Sequence, residues 1–173
     1  MDLTRKQRTT KYIVFCAFLL LAHLLQNTAG ILPEPLGARC FIVIPALMIM
    51  IIGEEELNAA LLGMFAGLLW DLTSSVHLGF NAVFFTVMCF LTAALINRLI
   101  RDTFITNMII CSCAAVLYCL FYWLLFIIIK GVPSAENTIF TFYLPCAVYT
   151  ILISPAVYLI IKPIKKRITN QNT

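Results

Sequence analysis

A chain of 173 residues that is 62% hydrophobic and 12% charged, with a mean hydropathy of +0.98, carries more apolar surface than a water-soluble core of that size can bury. It reads as an integral membrane protein. The net charge of +4 does not mark a nucleic-acid binder, because the basic residues sit in short blocks at the ends of apolar runs.

Six such runs predict an all-α, polytopic fold, one transmembrane domain over residues 1–173. Arg5, Lys6, Arg8 and Lys11 precede the first, residues 12–29. It resembles a secretory signal, but five further runs follow, so a retained signal anchor is expected. The second, 36–52, contains Pro45, which is tolerated in lipid where neighbouring helices cover the freed carbonyl. Gly53 ends it, and Glu54, Glu55 and Glu56 form a very short turn, predicting a tight helical hairpin with the third run, 57–72. That run is short, reaching about 24 Å against a hydrocarbon core of about 30 Å. Thinned bilayer, or a helix end covered by protein, is therefore expected near Asp71. The fourth run is 78–99. The fifth, 103–129, carries Tyr118, Tyr122 and Trp123 toward its far end, as an interfacial aromatic belt would. The sixth, 138–161, contains Pro145 and Pro155 and is expected to be kinked or partly broken. A basic tail with Lys162, Lys165, Lys166 and Arg167 follows, suited to anionic lipids.

Six spans with both termini inside put ten basic residues on the cytoplasmic side and only Arg39 and Lys130 outside. Asp71, Ser74, Ser75 and His77 then lie near the outer face, and Glu54 to Glu56 near the inner one. The acidic turn suits the positive end of the third helix, or a basic cytoplasmic partner surface. The seven cysteines lack zinc-site or disulfide spacing and read as small apolar residues. His23 is expected to make an interhelical hydrogen bond. No catalytic set, cofactor motif or metal site is read from the chain.

The most informative stretch is Gly63-Met-Phe-Ala-Gly-Leu-Leu-Trp-Asp71, running on to Leu78-Gly79-Phe-Asn81-Ala82. Ala59, Gly63, Gly67 and Asp71 are each four apart and share one helix face. Small residues in a row admit another helix backbone, and a carboxylate at membrane depth needs a partner or a task. The face is expected to pack against neighbouring helices of the same chain or against a partner's membrane helix. Asp71 is expected to end its helix at the interface, to help cap the next helix, or to serve a contact or ligand site.

The Gly63-x-x-x-Gly67-Leu-Leu-x-Asp71-Leu run, with Leu78-Gly79-x-Asn81-Ala82 close behind, resembles the MreD family of rod-shape-determining membrane proteins. So do Leu24-Leu25-Gln26, Pro33 and Pro35 in an outer loop, and the length. One departure is Ser74-Ser75, where the family often has Ser-Gly. The resemblance implies a non-enzymatic component of the bacterial cell-elongation machinery in the plasma membrane. Its implied partners are MreC, the MreB filaments, a RodA-type polymerase and a class B penicillin-binding protein. It also implies a distant likeness in fold to the S-components of energy-coupling-factor transporters. A vitamin-binding subunit, with Asp71, Ser74, Ser75, His77 and Asn81 around a ligand, is the alternative. Against it, Ala17 and Ala22 are five apart, so the Ala-x-x-x-Ala docking surface typical of S-components is missing.

Overall fold

A computed structural model describes residues 5–28, 39–74, 79–99, 102–129 and 135–170. These are helices joined by short turns, with no strand among them. The helices are α1 (Arg5–Asn27), α2 (Val43–Ile51), α3 (Glu56–Thr73), α4 (Phe80–Leu99) and α5 (Phe104–Trp123), which continues as a π-helical segment, Leu124–Ile128. A short α6 (Ala135–Thr138) passes through a second π-helical segment (Ile139–Tyr143) into α7 (Leu144–Asn170). Pro33, Pro35, Ser75, His77 and Leu78 lie outside the described residues.

Among the described residues, four helical stretches are long and apolar enough to cross a membrane: Arg8–Asn27, Phe80–Arg98, Phe104–Ile128 and Ile139–Ile168. The main correction is α2. Sequence reading gives it seventeen residues, 36–52; the structure gives nine, all buried. At about 1.5 Å per residue it is roughly 13 Å long, about half a bilayer core. It runs through the middle of the bundle, touching α1, α3, α4, α5 and α7. Pro45 is its third residue, where the missing N–H has no intrahelical bond to make, so nothing needs to cover a freed carbonyl.

A short helix buried on all sides must have its terminal polar groups met by side chains. At its start, the Val43 N–H donates to Gln26 Oε1 of α1 (3.2 Å). Just upstream, the Phe41 N–H donates to Thr150 Oγ1 of α7 (3.1 Å). At its end, the Lys165 ammonium of α7 donates to the carbonyls of Met50 (3.0 Å), Ile49 (3.3 Å) and Ile52. The basic tail is thus helical, and Lys165 is folded against the core rather than turned to lipid headgroups. Gly53, at φ +76°, makes the turn into α3, with the Glu54 N–H bonded to the Ile51 carbonyl. Lys165→Met keeps the stem and deletes the cap; it is expected to destabilise the protein by about 1–3 kcal/mol, read as a lower melting midpoint in detergent.

The acidic turn departs from expectation too. Glu54 is buried, with Oε1 2.5 Å from the Lys11 ammonium and Oε2 accepting from the Tyr12 hydroxyl at 3.1 Å. Asn97 of α4 donates to the Glu54 carbonyl (2.9 Å). Glu55 pairs with Arg8 at 2.8 Å, in water. The turn therefore ties α1 and α4 to the α2–α3 junction. These contacts gather the start of α1, the end of α2, the start of α3 and the ends of α4 and α7 at one end of the bundle.

In α7, Pro155 leaves the Ile151 carbonyl without its helical N–H, and the Ser154 hydroxyl takes it instead (2.6 Å). The π-helical segment ends two residues before Pro145, widening the turn where that proline also withholds a donor. The expected break is absent: α7 runs unbroken through Pro155 and Pro163.

Candidate functional site

The α3–α4 pair is the most extensively packed in the molecule, and glycine is the reason. A Cβ on Gly63 would stand 2.4 Å from the Phe85 carbonyl oxygen. One on Gly67 would stand 2.4 Å from both Ala82 Cα and the Asn81 oxygen. Real Cβ atoms do not approach so closely, so the two backbones meet at a distance that only glycine permits. Ala59 is fully buried on the same face. Opposite them on α4 lie buried Ala82, Phe85, Cys89 and Ala93.

One turn beyond Gly67, Asp71 reaches the N-terminus of α4. It is 3% exposed. Its Oδ1 accepts from the Asn81 backbone N–H (3.2 Å) and from Asn81 Nδ2 (2.9 Å). Its Oδ2 accepts from the Ala82 N–H (3.0 Å). These are the second and third residues of α4, whose N–H groups have no intrahelical partner. The carboxylate therefore caps α4 from the side, where the helix dipole also favours negative charge. Gly79, at φ +91°, supplies the entry: its carbonyl accepts the first helical bond from the Val83 N–H.

The network continues into α5. The Tyr118 hydroxyl donates to Asn81 Oδ1 at 2.9 Å, so Tyr118, Asn81 and Asp71 form a buried polar chain across three helices. Tyr118 is 4% exposed and belongs to the core, not to an interfacial belt. Around it Phe41, Trp70, Phe84 and Phe85 place their ring centres 5.2–5.6 Å from its own. Sequence reading missed this cluster, because aromatic residues scattered over three helices and the segment before α2 carry no spacing signal. At the same end, His23 Nε2 of α1 lies 3.2 Å from Thr73 Oγ1 of α3, the interhelical contact expected of it.

Of the residues singled out by sequence, Ala59, Gly63, Gly67, Asp71, Gly79 and Asn81 fall in this one unit. Glu54, Glu55 and Glu56 lie at the far end of α3 and are separate from it. The cysteines are all free, five of them buried, with Cys16 intermediate and Cys113 exposed.

Residues 6–166 match the family model described as rod shape-determining protein MreD. That match takes in every helix from α1 to most of α7. No curated protein and no solved structure matches the chain.

Proposed function

We propose, from the premise that the chain belongs to the MreD family of rod shape-determining membrane proteins, that it is a non-enzymatic scaffold of the cell-elongation complex. In this reading it sits in the bacterial plasma membrane with both termini cytoplasmic. It joins MreC and MreB to a RodA-type polymerase and a class B penicillin-binding protein. The observation that carries the reading is the extent of the match, which covers the helical bundle almost end to end. Orientation is supported by the bundle end that holds Arg8, Lys11, Arg98 and Lys165, while Arg39 lies at the opposite end.

The close-contact face of α3 is filled by α4, so partner helices meet other surfaces. The outward sides of α1 (Leu20, Leu21, Leu24) and α7 (Val148, Leu152, Leu159) are exposed and apolar, suited to lipid or to a membrane helix. Of the three turn carboxylates, Glu54 and Glu55 are engaged within the chain, leaving Glu56 for a basic partner surface at the cytoplasmic edge. The transporter-subunit alternative loses two of its ligand groups, since the polar side-chain atoms of Asp71 and Asn81 bond to one another, to Ala82 and to Tyr118.

A tagged chain purified from native membranes in mild detergent is expected to bring MreC and the elongation synthases with it, identified by mass spectrometry. Recovery of a transporter's ATPase and coupling subunits instead would overturn the scaffold reading.

A further inference from the structure

Beside the buried polar chain, at the Asp71 end of the bundle, lies a cleft of about 220 Å³. Its walls are the side chains of Phe41, Trp70, Tyr118, Tyr122, Phe142 and Tyr143, completed by Arg39 and Ser74. The volume far exceeds the roughly 10–15 Å³ that one water requires, yet falls below the roughly 300 Å³ at which drug-sized pockets begin. One ring or two fused rings is the size that fits.

Two polar groups on these walls are not held by a hydrogen bond to another described side chain, and neither atom is sealed from the cleft: the Trp70 indole N–H and the Tyr143 hydroxyl. Both side chains are more than nine-tenths buried, at 7% and 8% exposure. The indole can only donate, and the phenol has a proton to give, so the ligand group that suits both is an acceptor. Six of the eight lining residues are aromatic, which favours a flat π-system able to make offset or edge contacts with them.

We propose that this cleft is a binding site for a small planar ring bearing hydrogen-bond acceptors, held between the aromatic walls with its acceptors on Trp70 Nε1 and the Tyr143 hydroxyl. Tyr118 links the site to the hairpin, because its ring lines the cleft while its hydroxyl holds Asn81. Occupancy therefore stabilises the α3–α4 unit by mass action.

The chain has two tryptophans. In the full-length Trp123→Phe protein in detergent, Trp70 is the sole indole and reports the cleft directly. Titration with 7-hydroxycoumarin, a flat bicycle with acceptor oxygens, is expected to quench Trp70 emission saturably and to raise the melting midpoint. Tyr143→Phe, which keeps the ring and removes the hydroxyl, is expected to weaken binding about two- to tenfold. Ser74→Phe, which fills the space, is expected to abolish saturation. A response that never saturates, or an affinity unchanged in both variants, overturns the site. Binding is read in the purified chain, so its failure leaves the complex-level reading standing.

Discussion

Gly67→Leu is expected to destabilise the protein by more than about 3 kcal/mol and to leave little folded material after solubilisation. The reason is where the added carbon would go. It would meet Ala82 Cα, the Ala82 nitrogen and the Asn81 carbonyl oxygen at 2.4–2.5 Å. All three are backbone atoms at the start of α4, so no side-chain rotation relieves the clash. The helices must separate, and separation pulls Asn81 and Ala82 away from Asp71, breaking the cap as well. Leu68→Ala, next in sequence but on the outward side of α3 at 47% exposure, serves as the control. It removes three carbons where Gly67→Leu adds four, yet its effect should stay within about 1 kcal/mol. Folded yield by size exclusion and the melting midpoint in detergent read both.

Asp71→Ala is expected to cost about 2–5 kcal/mol, because it strands three donors at once. The Asn81 N–H, the Ala82 N–H and the Asn81 amide would all face apolar neighbours, with little water to replace the lost oxygens. Tyr118 then holds Asn81 from one side only. Asp71→Asn keeps one carbonyl oxygen and should lose roughly half as much. Hydrogen exchange at the Asn81 and Ala82 amides reads the loss locally: both should speed up in Asp71→Ala, with α2 amides unchanged. Equal speeding across the molecule would mean global unfolding rather than an uncapped α4.

The hairpin was legible in the chain because its physics is local. Four residues at i, i+4 spacing, three of them nearly without side chains, mark a close-contact face whatever lies opposite, and Asp71 on that face announces a polar obligation. Which helix lies opposite is not local, and the Gly-x-x-x-Gly pattern is equally compatible with a partner. The length of α2 was illegible for a related reason. Its surrounding run is uniformly apolar, and composition alone does not distinguish a helix facing lipid from a shorter one sealed inside a bundle. Glu54 read as a solvated turn residue because its partner, Lys11, lies in a different helix, far off in sequence. Lys165 looked like part of a topology signal, and only the fold brings it to the carbonyls at the end of α2. Tyr118 sat where an aromatic belt was due, and nothing in its neighbours betrays the bond to Asn81.

These contacts make the Ala59–Gly63–Gly67–Asp71 face an internal fixture of the fold, on which the proposed scaffold role would depend only through stability. The direct test pairs two readings on the same preparations of Gly67→Ala and Asp71→Asn: the melting midpoint in detergent, and the MreC recovered with the tagged chain from native membranes. An internal face predicts that MreC recovery falls only in step with the midpoint, and returns when growth at lower temperature restores folding. A variant that melts like the unmodified chain yet brings down no MreC would contradict the account and make this face the partner's docking surface.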